Sequence, residues 1–110
     1  MTRRLGLDFL TFVPYPEGPE RPGDAAQSLE DGLALLELAE ELGYDTGWVR
    51  VRHFERFLAS PMTFFAAASQ RTRRLRLGTA VIGARYESPV RLAEDAATVD
   101  LLSEAGSTSA

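Results

Sequence analysis

The sequence predicts a parallel α/β fold built from strand–helix units, and three observations carry that prediction. Residues 75–102, LRLGTAVIGARYESPVRLAEDAATVDLL, hold one whole unit with its punctuation. Leu75, Leu77, Thr79, Val81 and Ile82 read as a buried strand, Ser88 offers a cap oxygen, and Pro89 stands at the first helical position. The same plan occurs twice upstream, with a strand near Leu5–Phe12 before a helix near Leu29–Leu42, and a strand near Trp48–Phe54 before a helix near Pro61–Arg71. Connections of that length suit parallel strands joined by crossover helices.

In the first unit Leu5, Leu7 and Phe9 alternate with Gly6, Asp8 and Leu10, so both faces of the strand are largely apolar. A strand covered on both sides needs that pattern. Asp8 breaks it, and its charge calls for a solvent-facing strand end or a matching arginine, of which pairing is the preferred reading. From Pro14 to Gly23 the chain carries four prolines and two glycines, the composition of a loop. That loop follows the strand's carboxyl end, where parallel α/β folds bind ligands, so it either borders a site or is a plain surface loop. Ser28, followed by Asp31, reads as a capping box opening the first helix. Leu29, Leu33, Leu36 and Leu42 supply its apolar face, and Gly43 ends it.

The second strand, read as Gly47–Phe54, puts Arg50 and Arg52 on the side of Trp48, and Val49, Val51 and His53 on the other. Two arginines in a strand need anions, which Asp8 and Glu55 or a bound ligand could supply. His53 is the only histidine, placed where strand passes into loop. An imidazole with an ordinary pKa near 6.5 can exchange a proton at neutral pH, or simply satisfy local hydrogen bonds. Ser60 and Pro61 open the second helix, with Phe64, Phe65 and Ala66–Ala68 as packing residues. In the third helix Val90, Ala93, Ala97 and Leu101 recur at helical spacing and predict the inward face. GTAVIG, residues 78–83, lacks the lysine and hydroxyl residue of a phosphate loop, and no GxGxxG is present.

Composition excludes several classes. With 45% hydrophobic residues, the 110-residue chain can form a core, and a net charge of −4 argues against a nucleic-acid binder. The basic run Arg71–Arg76 reads as a solvated helix end, its charge complementing the dipole. Without cysteine, neither a disulfide framework nor a zinc–thiolate site can form, and one histidine makes no metal site alone. No apolar run approaches the roughly 20 residues of a membrane span. MTRRLGLDFLTF lacks the apolar core of a secretion signal, so a cytoplasmic location is expected.

Taken together, ELGYDTGWV before the second strand, RHFE after it, LASP before the second helix, and RLRLGTAVI followed by SPVRLAEDAATVDLLS resemble the amino-terminal part of the luciferase-like flavin-dependent monooxygenases. The resemblance runs from Leu5 to Ser103. It implies the first three βα units of a (β/α)8 TIM barrel, a fold of roughly 200 residues or more. It also implies reduced FMN, or in some branches a deazaflavin, with oxygen or hydride chemistry on a small organic substrate. The family's second-strand motif often reads as a histidine pair followed by phenylalanine; here Arg52 takes the first place and His53 keeps the second. By that correspondence His53 is the catalytic candidate, and Arg52 could contact an anionic reduced flavin or substrate. Thr79, Ala80 and Val81 correspond to the third-strand end that packs on the flavin. Family members can carry a non-proline cis peptide there, with Ala80–Val81 the candidate bond, although an ordinary trans bond is the plainer reading of the residues.

Residues 1–103 are thus expected to form a partial barrel domain and residues 104–110, within SEAGSTSA, a polar tail. A barrel truncated after three units is expected to be inactive alone. Its unpaired strand edges offer an alternative role, as a non-catalytic module that pairs with a second copy or with a complementary barrel fragment.

Overall fold

A computed structural model describes residues 5–16, 19 and 21–106. The expectations for residues 1–4 and 107–110, and for part of the Pro14–Gly23 loop, fall outside these residues. Along the chain lie β1 (Asp8–Thr11), α1 (Asp24–Glu41), β2 (Thr46–Val49), α2 (Pro61–Ser69), β3 (Arg76–Thr79), a 3₁₀ turn (Ala84–Tyr86) and α3 (Pro89–Gly106). The three strands form one parallel sheet in the order β1-β2-β3. Asp8 lies beside Thr46, which lies beside Arg76; Thr11 lies beside Val49, which lies beside Thr79.

All three strands are shorter than their sequence patterns suggest. β2 stops at Val49 because the following backbone leaves the ladder: the Arg50 N–H still reaches Thr11 O at 3.0 Å, but that of Arg52 turns to Leu58 O at 2.9 Å. Arg50, Arg52 and His53 are therefore loop residues rather than two sides of a strand. α1 begins at Asp24, ahead of the expected capping box. Gly23 caps it with φ of 89°, a conformation glycine adopts without steric cost, and Asp24 places a carboxylate at the positive end of the helix dipole. Ser28 lies inside the helix, where Asp31 instead accepts from Gln27 Nε2 at 2.8 Å. The other end follows expectation: Gly43 has φ of 88°, its N–H bonds Glu40 O at 3.0 Å, and the Tyr44 N–H bonds Ala39 O at 2.9 Å.

The helices cover one face of the sheet. Val13, Leu33, Leu36, Val49, Leu58, Phe64, Phe65, Ala68 and Leu75 are buried there as a single cluster. Gly47 is required by that packing, since a Cβ at this position would lie 2.7 Å from Leu36 Cδ2. The opposite face is open, with Leu10, Phe12 and Trp48 exposed. Trp48 lies flat over Gly78, where a Cβ would come within 2.5 Å of the indole. Its Nε1–H donates to Asp8 Oδ2 at 3.3 Å, so among the described residues Asp8 pairs with this indole rather than with an arginine.

α3 departs from its predicted orientation. Val90 and Leu101 are 70% and 65% exposed, and Ala93 and Ala97 face outward with them. α3 packs instead on α2, and Ala96, Val99 and Ser103 line a cavity it shares with α2 and β3. α3 carries apolar residues on two faces, and the described sheet has no strand beyond β3 for the Val90–Leu101 face to cover. The helix also runs on to Gly106, into the segment read as a tail.

The basic run does more than solvate a helix end. Arg71 donates to Glu30 on both guanidinium nitrogens, at 2.8 and 2.9 Å, and to Glu37 at 3.3 Å, tying the end of α2 to α1. The hydrogen bond from Arg71 outweighs desolvation and holds the Glu30 carboxyl below its ordinary range. Glu40 of α1 accepts the backbone N–H groups of Arg73, Arg74 and Leu75 as the chain enters β3.

Candidate functional site

Parallel strands bring their following loops to one end of the sheet, and the candidate residues collect there. After β1 the chain turns sharply at Val13, buried with φ of 46°, an unusual conformation for a β-branched residue. Its N–H bonds Thr11 Oγ1 at 3.2 Å, and its side chain packs where Gly32 leaves room on α1. After β2, Phe54 also has positive φ, 61°, and is 92% exposed.

Arg52 and His53 share this second loop but differ in setting. Arg52 is exposed, and its Nη1 donates to Glu55 Oε2 at 3.3 Å. The imidazole of His53 is half-buried against the loop after β3. Its ring centroid lies 4.5 Å from that of Tyr86 with the planes 34° apart, and the Gly83 backbone flanks its Cδ2–Nε2 edge. Among the described residues, the buried His53 Nε2 has no hydrogen-bond partner. The Tyr86 N–H closes the 3₁₀ turn on Gly83 O at 2.9 Å, and Phe54 meets Tyr86 edge to face at 6.0 Å.

At the end of β3 the Ala80 N–H bonds Val49 O at 2.8 Å, which docks this corner against β2. The Ala80–Val81 peptide bond is cis, so the trans reading gives way at this position. Val81 is 71% exposed. Thr79 stands apart: it shares the register of buried Val49 and lines a cavity of about 270 Å³ on the helix side, with Met62, Phe65, Leu77 and Val99. The fold therefore joins His53 to the loop after β3, ties Ala80 to β2, leaves Arg52 paired to Glu55, and turns Thr79 toward the helices. Tyr86 and Gly83 were not among the predicted residues. An aromatic residue two positions before a Ser-Pro helix start, in a loop at a strand's carboxyl end, was the available signal.

Among the described residues no group of three or more His, Asp or Glu could hold a metal ion. Nor is any helix among the described residues long and apolar enough to cross a membrane.

The luciferase-like monooxygenase family matches residues 7–105. This chain belongs to that family. Among curated relatives of the luciferase-like chain, 4-hydroxyprotoasukamycin monooxygenase of Streptomyces nodosus subsp. asukaensis is 38% identical over 81 residues, covering 72% of this chain and 22% of the relative. Limonene 1,2-monooxygenase of Rhodococcus erythropolis is 35% identical over 82 residues, covering 73% of this chain and 21% of the relative. The chain thus spans about a fifth of the length of these relatives. Among solved structures, monooxygenase RslO1 of Streptomyces bottropensis superposes with a TM-score of 0.72 at 32% identity, over 93% of this chain and 30% of that one. The oxygenating constituent of 3,6-diketocamphane monooxygenase of Pseudomonas putida, solved with FMN, shares the fold at 18% identity with a TM-score of 0.72, over 93% of this chain and 27% of that one.

Proposed function

We propose that this luciferase-like chain supplies the first three units of a (β/α)8 flavin-dependent monooxygenase that acts on a small organic substrate with reduced FMN and oxygen. The observation that carries the reading is the meeting of the second and third loops, where His53 and the Ala80–Val81 corner lie at the carboxyl end of one sheet. The residues suit the ring system of a flavin. Val81 offers exposed apolar surface, Arg52 a cation, and His53 Nε2 a polar atom in want of a partner.

Bound there, a reduced flavin supplies the electrons that activate oxygen. Arg52 would hold the anionic rim of the flavin or substrate, and the exchange is cheap. Exposed ion pairs such as Arg52–Glu55 contribute only about 0–1 kcal/mol, so a ligand anion can replace Glu55. His53 would hold or pass a proton at Nε2. The backbone at Thr79, Ala80 and Val81 would form the wall against the ring. The phosphate anchor belongs, on this reading, to barrel units beyond these three. Three strands do not enclose a flavin from water, so turnover by these 110 residues alone is not expected. A deazaflavin is the competing cofactor, and a cytoplasmic location is part of the same proposal.

The open sheet face, with Leu10, Phe12 and Trp48 exposed, favours a second reading. There the chain is a non-catalytic module whose free edges pair with a second copy or with a complementary barrel fragment. Anaerobic titration with reduced FMN, oxidised FMN and a deazaflavin, with solution mass followed in parallel, separates the two. The enzyme reading predicts saturable flavin binding that weakens in R52A; unchanged affinity in R52A would reject the ligand role of Arg52. Self-association without any flavin binding would favour the module.

A further inference from the structure

We infer that Tyr86 is a positioning residue for His53: it fixes the imidazole against the Gly83 backbone and covers Nε2, so a ligand that engages this nitrogen must displace the tyrosine ring. The choice of flavin as that ligand rests on the function proposed above, but the covering itself rests on geometry alone.

The two rings come from different units of the fold. His53 stands on the loop after β2, Tyr86 at the end of the 3₁₀ turn after β3, and their centroids are 4.5 Å apart. Gly83 borders both rings at one edge, since an added Cβ there would lie 3.4 Å from Tyr86 Cδ2, 3.5 Å from His53 Cδ2 and 3.6 Å from Nε2. Nε2 is shut off from solvent in this arrangement yet has no hydrogen-bond partner among the described residues. A buried polar atom left unpaired costs more than one aromatic contact contributes, so the covered state is poised to yield to a ligand that offers a hydrogen bond. Tyr86 itself is 56% exposed and is not a member of the buried cluster, so replacing it should not undo the fold.

Because the chain has one histidine, modification by diethyl pyrocarbonate, which acylates an accessible imidazole nitrogen, reads His53 alone. The 110-residue chain, Y86L and Y86F are compared at neutral pH, following absorbance of the acylated imidazole and the mass of the His53 peptide, with circular dichroism showing that each is folded. Loss of the stack should raise the rate in Y86L by about twofold to tenfold, the population shift equivalent to one aromatic pair. Y86F keeps the ring and should match the parent. Equal rates for the parent and Y86L, or a Y86F rate as high as that of Y86L, would overturn the inference. Reduced FMN is then added to the parent under anaerobic conditions. A changed His53 rate supports flavin as the displacing ligand. An unchanged rate beside a faster Y86L leaves the role of Tyr86 standing and removes flavin contact at His53.

Discussion

Replacing Glu40 tests how the chain is steered into β3, and so how the Ala80–Val81 corner is held. One oxygen, Oε1, accepts the N–H groups of Arg73 at 2.7 Å, of Leu75 at 2.9 Å, and of Arg74 between them. Burial raises the carboxyl pKa, but the backbone hydrogen bonds from Arg74, Leu75 and Arg73 together overcome it, leaving the pKa below its ordinary 4.5. A hydrogen bond to a charged group contributes about 1.5–3 kcal/mol. Three donors share one oxygen here and the carboxylate is partly solvated, so the whole set is worth about 2 kcal/mol rather than the sum. E40A should lose about that much. E40Q keeps a neutral acceptor and should lose about 1 kcal/mol. At roughly 4–8 °C per kcal/mol for a domain near this size, E40A should melt about 10 °C below the parent by circular dichroism at pH 7. The pH dependence has a definite sign. A carboxyl whose pKa is depressed on folding stabilises fully above its unfolded pKa, and that share is lost as pH falls through the folded pKa. The gap between parent and E40A should therefore be constant down to about pH 5 and narrow below 4.5. An E40A variant within about 0.5 kcal/mol of the parent, with a gap that ignores pH, would refute the argument.

G78A should drive the Trp48 indole off the strand, since the new Cβ would fall 2.5 Å from Cζ3; the cost should be about 1–3 kcal/mol, with a changed emission maximum from the single tryptophan. An unchanged emission spectrum would count against the Trp48–Gly78 contact. R71M removes the bidentate link to Glu30 and the bond to Glu37, all partly exposed, and should lower stability only slightly, less still in high salt. A larger, salt-independent loss in urea denaturation would mean that Arg71 acts through packing.

The alternation of strand and helix was legible because its punctuation is local. Gly43, Pro61 and Pro89 mark helix ends by backbone chemistry that needs no tertiary partner. The start of α1 was missed because Ser28 and Asp31 imitate a capping box, whereas the actual cap is Gly23, which signals by conformation rather than by a side-chain oxygen. The end of β2 was hidden for another reason. Residues 50–54 continue the alternation of a strand, and the turn shows only in the folded backbone, in the bond from Arg52 to Leu58 and the positive φ of Phe54. On α3 two apolar faces competed, and the periodicity of Val90, Ala93, Ala97 and Leu101 could not say which one meets α2. At the site, the family motif supplied Arg52, His53 and the Ala80–Val81 bond. The pairing of His53 with Tyr86 arises from packing between two loops, to which spacing along the chain is blind.

The most direct test of the account is to map where a flavin touches this chain. Amide and imidazole NMR signals would be followed while reduced and oxidised FMN are titrated in without oxygen. The account predicts saturable shifts centred on Arg52, His53 and Ala80–Val81, with the single imidazole among the most affected. Shifts confined to the opposite end of the sheet, around Asp45 and Arg76, or no saturable shift at all, would contradict it.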